Sequence, residues 1–398
     1  MHSRLSRAAP LLVAFALCIS ACSPSRVERV QHILVLTPGE TLAPREFRAA
    51  EALAQALPSA GQRVQILHSI LPDKTAANES AMASFIATAA GDWRIKALVI
   101  DPALPGTAEG FRRAKASRPD LFCVAGDSRE DELAIEASAD LVVDLDRVYR
   151  AWLIPWAARK MGAKAVVAAY TRGEMADPRA QRERAIMSAA CSDLGLKYAA
   201  MTAPAGMDAV TYTRAMTGSW FHDYGKDTAL YCSDRALAVP LLSGAIAGGG
   251  VMVDAAGSMT RGVYAAALGV DLVPAKGDAR KEFQLLEVAI TGLGGRGRFG
   301  LWDADHAQAS VEGLAEFALR VVSGVARKDE IKDLVAALDA RSHPAAWLAA
   351  YDVDPATGVK SGNHVLVRQD IHVLGSGYLQ SALQVVPLKY LTIAGDGR

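Results

Sequence analysis

From His32 onward the chain alternates short, β-branched apolar runs with longer amphipathic segments, and this rhythm restricts the fold more than any other feature. The runs that read as strands are His32–Leu36, Arg63–Leu67, Ala97–Ile100, Leu121–Ala125 and Leu141–Asp144. Between them, Arg45–Leu57, Ala76–Ala90 and Thr107–Ser117 carry helical spacing. The strand runs are apolar at consecutive positions rather than at every second one, which marks strands covered on both faces. Such strands belong to a parallel sheet assembled from right-handed βαβ units.

The pattern then restarts. Helical spacing at Val148–Met161, Arg179–Leu194, Asp208–Asp223 and Leu237–Ala247 alternates with strand runs at Ala165–Tyr170, Lys197–Thr202, Thr228–Ser233 and Val251–Asp254. An α/β fold of two doubly wound (Rossmann-like) parallel-sheet lobes is therefore expected, with Asp144-Leu-Asp-Arg147 as the first crossing between them. After a helix at Lys281–Thr291 comes the glycine cluster Gly292–Gly300, followed by a strand at Phe299–Trp302 and a helix at Gln308–Ser323. The cluster spells GxGxxG, but it follows a helix and precedes a strand. That reverses the order that sets a pyrophosphate on a helix N-terminus. A flexible crossing is the expectation instead, since glycine tolerates the backbone changes of a hinge. The tail from Lys328 is less regular. Asp352 and Asp354 have the spacing of calcium-loop ligands, but Ala356 and Thr357 fall where a further ligand and the glycine belong, so a turn between strands is expected.

The first 22 residues resemble a bacterial lipoprotein signal: Arg4 and Arg7, an apolar run at Leu11–Ile19, then the box Ile19-Ser-Ala-Cys22. The apolar run is short for a membrane span, so its removal is expected, leaving Cys22 as a lipid-bearing N-terminus. Ser23 follows it, and which membrane holds the lipid stays open. The folded body is then extracytoplasmic, tethered to a bacterial membrane in the periplasm or at the cell surface. Charge is balanced, with 43 basic and 43 acidic side chains and no basic block, which argues against a nucleic-acid partner. Cys18 leaves with the signal, and Cys123, Cys191 and Cys232 remain, an odd number that excludes a complete disulfide framework. Cys123 and Cys232 lie in strand runs and read as small core residues.

Ligands of open α/β sheets bind beyond the carboxyl ends of the strands. Residues just past the strand runs are thus the candidates for ligand binding: Thr37, Asp101 and Asp127 in the first lobe, Tyr170, Arg172 and Asp234 in the second, and Trp302 and Asp303 at the later crossing. This polar, mixed-charge set with aromatic faces suits a small polar solute. Each also has a plainer role: the aspartates can cap the following helices, Arg172 can pair with an aspartate, and Trp302 can plug the hinge. No HExxH, GxSxG, Walker or CxxC pattern occurs, so no catalytic residue, cofactor or metal is assigned. Asp303-Ala-Asp-His306 is the one place where metal-ligand residue types cluster.

Several stretches together resemble a family of bacterial lipoproteins of unknown function within the type I periplasmic-binding-protein-like superfamily. They include Ala97–Glu109, Arg118-Pro-Asp-Leu121, Ser138–Val142, Ile154-Pro-Trp156 with Lys160–Lys164, Tyr224–Ala229, Ala267-Leu-Gly269, Gly297-Arg-Phe299 and Trp302. The resemblance covers roughly 32–324. Ser233-Asp-Arg235 and Ala255–Ser258 depart from it, so no ligand identity carries over. It implies two hinged lobes holding a solute between them. In residue terms the expected plan is a first lobe of 32–146 plus 299–325, a second lobe of 147–298, and a C-terminal segment, 326–398, packing across both. The hinge is expected at Asp144–Arg147 and Gly294–Gly300. The implied role is a monomeric, non-enzymatic solute-binding protein serving an ABC permease. A sensor subunit for a membrane receptor is the alternative, and an extracytoplasmic hydrolase using Asp303 and His306 the third reading.

Overall fold

A computed structural model describes residues 30–393 apart from 57–62, 73–77, 255–258, 276, 343–344 and 355–356. The lipoprotein-type segment with Cys22 lies outside the described residues, as does the 255–258 loop. Five strands open the chain: β1 (Gln31–Thr37), β2 (Val64–Ile70), β3 (Ile95–Ile100), β4 (Phe122–Gly126) and β5 (Leu141–Leu145). They form parallel pairs in the order 2-1-3-4-5. The next five repeat that order: β6 (Ala165–Tyr170), β7 (Lys197–Thr202), β8 (Thr228–Cys232), β9 (Val251–Val253) and β10 (Phe299–Leu301) run 7-6-8-9-10. Both are Rossmann-like lobes with helices on both faces. Ile33, Val35, Ala97, Val99, Val166 and Val167 are fully buried, which is why these strands carry no polar alternation.

The irregular-looking tail is more structured than its sequence suggests. It holds a helix, Ile331–Ser342, and the strands β11 (Trp347–Val353), β12 (Lys360–Gln369), β13 (His372–Val373) and β14 (Gly377–Tyr378). β12 adds to β5 in parallel with His364 opposite Val142, and β11 folds back antiparallel at the edge. The turn after Asp354 closes this hairpin, with Gly358 N–H donating to the Asp354 carbonyl at 2.7 Å. β13 and β14 instead extend the other sheet beside β10. The segment therefore contributes strands to each lobe, completing two seven-stranded sheets.

The chain passes between lobes after β5, after β10 and after β12. This moves one expected boundary. Residues 299–301 belong to the second sheet, where Phe299 and Gly300 pair with Met252 and Val253. The crossing is Trp302–Asp305, leading to the helix His306–Val322 on the first lobe. The glycine cluster is accordingly no hinge. It sits at the opposite end of β10, where Gly294 and Gly297 both take φ of 76° and Gly297 N–H bonds to the Leu374 carbonyl. Its glycines serve a turn that only residues without a side chain adopt freely.

One buried histidine ties β12 to the first lobe. His364 is 4% exposed, with Nδ1 2.8 Å from Glu136 and Nε2 3.1 Å from Asp144. Burial alone would lower its pKa, but the hydrogen bond and charge of Asp144, with Glu136, outweigh it and hold the imidazole at about 9. The folded value exceeds the unfolded one, so this stabilisation is complete below about pH 6.5 and is lost as pH rises through about 9. A melting curve measured from pH 6 to 10 is expected to fall in that upper window, and His364→Gln to flatten the fall. An unchanged slope in the variant would contradict this assignment.

Candidate functional site

The 2-1-3 order places a topological switch between β1 and β3, and between β6 and β8 in the second lobe. Polar residues gather at the carboxyl ends beside these points and along the crossings. On the first lobe these are Glu46, Asp101, Asp127 and Asp305. The second lobe contributes Arg147 and Arg150 from the first turn of the helix Arg147–Lys160, Glu183 from Pro178–Asp193, and Tyr231 from β8. Two contacts close the lobes here: Arg147 donates to Asp127 at 2.9 Å, and Arg179 donates to the carbonyls of Ser128 (2.5 Å) and Glu130 (2.7 Å).

The charges are unevenly answered. Arg150 pairs with Glu183, both almost fully buried, and Arg147 reaches the same carboxylate at 3.4 Å. Burial disfavours the Arg150 cation, but Glu183 more than offsets this and the net shift is upward. Asp127 follows the same logic with opposite sign. Burial would raise it, yet Arg147, with His306 and Arg129 behind, holds it below the usual carboxylate range. Its backbone takes φ of 36°, a left-handed value that costs a non-glycine residue roughly 1–3 kcal/mol and recurs at functional sites. Asp101 goes the other way, raised well above its usual value by burial. The neighbouring Ser310 hydroxyl offsets part of this. Burial also raises Glu46 and Asp305 and lowers His306.

Several buried atoms in and around this group have no hydrogen-bond partner among the described residues. They are Asp101 Oδ2, Arg150 Nε, Tyr231 Oη, Trp302 Nε1, Ser310 Oγ and both ring nitrogens of His306. Buried polar atoms are normally hydrogen-bonded, so a concentration of exceptions at one place calls for an explanation.

The candidates named from sequence divide sharply. Asp101 and Asp127 meet in this group, as described. Trp302 reaches it from the crossing, but it is 3% exposed and packs on His306 and Trp347 at centroid distances of 6.5 and 6.1 Å, so it fills the crossing and presents no open face. Thr37 sits at the switch point with its hydroxyl shared between Pro38 and His68. Tyr170 is buried, and its hydroxyl lies 3.3 Å from that of Tyr198. Arg172 donates to the Ala203 carbonyl rather than to a carboxylate. Asp234 caps the short helix that follows it, accepting from Ala236 N–H at 2.8 Å. Asp303 accepts from His372 at 3.2 Å and Tyr378 at 2.5 Å, turned toward the C-terminal strands. His306 lies against Trp302 and Trp347 instead, so the two do not form an acid–base pair.

Glu46, Arg147, Arg150, Glu183, Tyr231 and Asp305 went unselected. Arg150 carries a readable signal: it interrupts an otherwise apolar run, Tyr149 to Pro155, every residue of which is buried. A charge inside such a run implies a buried counter-charge. The others owe their places to packing between segments distant in sequence.

Gly126 is the glycine that shapes the group. A Cβ there would lie 2.6 Å from the Asp101 carboxyl and 2.7 Å from Leu314 Cδ1. Gly126→Ala is expected to cost about 1–3 kcal/mol by overpacking and to displace Asp101. A melting temperature equal to wild type would show that the carboxyl moves aside freely.

A family model described as "Protein of unknown function (DUF3798)" matches residues 31–300. An uncharacterised protein of Treponema pallidum (strain Nichols) is 36% identical over 187 residues, spanning 46% of this chain and 85% of its own. Among solved structures, a putative transcriptional regulator from Clostridium difficile 630 superposes with a TM-score of 0.72 at 14% identity, covering 87% of this chain and 99% of that one. A sugar ABC transporter protein from Actinomyces odontolyticus ATCC 17982 is more distant, with a TM-score of 0.48 at 13% identity over 75% and 85% of the two chains. The fold these share is one of two Rossmann-like lobes, each built on a mainly parallel sheet with alternating helices.

Proposed function

The chain belongs to the DUF3798 family, whose description leaves function open, and from its site we propose that it is a solute-binding protein that closes two lobes around a small polar solute. The observation that supports this reading is the set of buried polar atoms where the lobes meet that have no hydrogen-bond partner among the described residues. Each such atom left unpaired costs about 1–3 kcal/mol. A solute that supplies hydrogen bonds would make closure favourable and shift an open–closed equilibrium toward the closed form. The lipoprotein-type start of the chain adds the setting: a body tethered through Cys22 outside the cytoplasm, presenting its solute to a membrane partner, an ABC importer. No helix among the described residues is long and apolar enough to cross a membrane, so such a partner would supply the passage.

The test is a thermal-shift screen against sugars, amino acids, nucleosides, polyols and small carboxylates. A solute at a hundred times its dissociation constant adds about 2.7 kcal/mol, a rise of roughly 5–10 °C for lobes of this size. A saturable rise within one chemical class is the expected result. A flat screen, with native mass spectrometry finding no retained molecule, would overturn the reading.

A further inference from the structure

A separate cluster lies where the C-terminal hairpin meets the first lobe. Glu132 and Glu136 stand four apart on the helix Glu132–Ser138, a spacing that puts both on one face. They meet Asp352 of β11 and His364 of β12, and one ligand-type atom from each of the four lies within 4.8 Å of the others. The strands deliver their pair through a bulge. Tyr351 is opposite Val365 and Val353 opposite Lys360, so Asp352 alone faces residues 361–364. Bulges re-aim side chains. This one is fastened to the helix by Asn363, whose amide donates to the carbonyls of Glu136 (2.8 Å) and Ala139 (3.1 Å).

His364 is oriented from behind in the way metal-binding imidazoles are. Its Nε2 lies 3.1 Å from Asp144 Oδ2, and Asp144 Oδ1 accepts from Ser128 N–H at 2.7 Å. Asp144 belongs to β5 and is not one of the four. With Nε2–H committed to a carboxylate that is itself held, the lone pair of a neutral imidazole falls on Nδ1. That atom is 2.8 Å from Glu136 and 3.8 Å from Glu132. Without a metal, a proton on Nδ1 fills this direction, and a metal ion displaces it. Ligands of one zinc ion stand about 2.0–2.2 Å from it, hence within roughly 4.4 Å of one another. The cluster must tighten by only a fraction of an ångström, and Glu132, its side chain 48% exposed, has room to move and leaves a path of entry. The donor set also selects the ion. Imidazole suits zinc and its first-row neighbours, whereas Ca2+ takes about six to eight oxygens and Mg2+ keeps several of its waters. Asp354, the other half of the calcium-like spacing, accepts from the Thr357 hydroxyl at 2.7 Å instead. We propose that Glu132, Glu136, Asp352 and His364 form a binding site for Zn2+ that fastens the β11–β12 hairpin to the first lobe.

The test titrates the EDTA-treated protein calorimetrically with Zn2+, Mn2+, Ca2+ and Mg2+ in separate runs. Zn2+ is expected to bind once per chain, Mn2+ more weakly, and Ca2+ and Mg2+ at least roughly a hundredfold more weakly. Glu132→Gln and Asp352→Asn keep side-chain shape at positions that are not buried, so both are expected to fold. Losing a ligand costs at least as much as losing a hydrogen bond behind one, so each variant is expected to weaken Zn2+ roughly tenfold or more. Zn2+ is also expected to raise the wild-type melting temperature, and to raise it less in both variants. Absence of saturable Zn2+ binding below about 1 mM would overturn the site, and so would tighter binding of Ca2+ than of Zn2+. Equal Zn2+ affinity in wild type and both variants would overturn it too, by placing the ion elsewhere on the chain. None of these results bears on solute binding, which the screen above decides separately.

Discussion

Arg150→Ala is expected to cost about 3–5 kcal/mol of folding stability, because removing one member of a buried ion pair leaves the other charge uncompensated. For lobes of this size that lowers the melting temperature by roughly 10 °C or more. The Arg150 and Glu183 side chains are 7% and 10% exposed, and Arg147 at 3.4 Å is the nearest substitute for the lost cation. Arg147 is already committed to Asp127, so it compensates only in part. The double replacement Arg150→Met with Glu183→Leu is expected to recover most of the loss, since a well-packed apolar pair avoids the desolvation penalty altogether. Calorimetric melts of the two single variants and the double variant form a cycle that isolates the pair. A cost below about 1 kcal/mol for Arg150→Ala is typical of a solvated surface pair, and it would mean that water reaches this site in solution.

The second large effect concerns Trp302. Its sequence position suggests a ligand-facing aromatic, and a residue in that role loses affinity on truncation but little stability. The structure shows Trp302 in the other role the sequence left open, filling the crossing. Trp302 packs with His306 and Trp347 in a cluster of three rings at the crossing that follows β10, with 3% of its surface exposed. Trp302→Ala is therefore expected to destabilise the protein by about 3–5 kcal/mol through loss of buried area and the cavity left behind. Trp302→Phe weighs packing against hydrogen bonding, because it keeps an aromatic ring in the site while removing Nε1 along with part of the indole. That variant is expected to retain most of the stability while weakening any solute that accepts from the indole. A Trp302→Ala protein that melts like wild type would return Trp302 to the surface of an open cleft.

These two residues show where reading the sequence succeeds and where it stops. The strand runs were legible because burial on both faces of a parallel sheet leaves a mark at every consecutive position, as in Ala165–Tyr170, where all six residues are buried. Asp146, after β5, caps the helix that starts at Arg147. The glycine cluster misled because glycine marks every backbone irregularity alike, and at Gly294 and Gly297 the irregularity is a turn into β10 rather than a passage between lobes. Asp234 takes the plainer of its two sequence readings, a helix cap, and Arg172 takes a backbone carbonyl in place of an aspartate. Standing past a strand end places a residue near the cleft, but its side chain still takes the nearest backbone partner.

The chain's own pattern determined the α/β class, the two-lobed repeat and the ends of the strands at which a site belongs. It could do so because periodicity and capping act over a few residues and leave their trace there. Tertiary structure alone decided that β12 would carry His364 between Glu136 and Asp144, that Arg150 would find Glu183, and that Asp127 and Asp305 would each obtain an arginine. Those outcomes depend on which side chains the folded lobes bring within a few ångströms across long stretches of chain. The energy of a buried charge is set by that company, not by its neighbours in sequence.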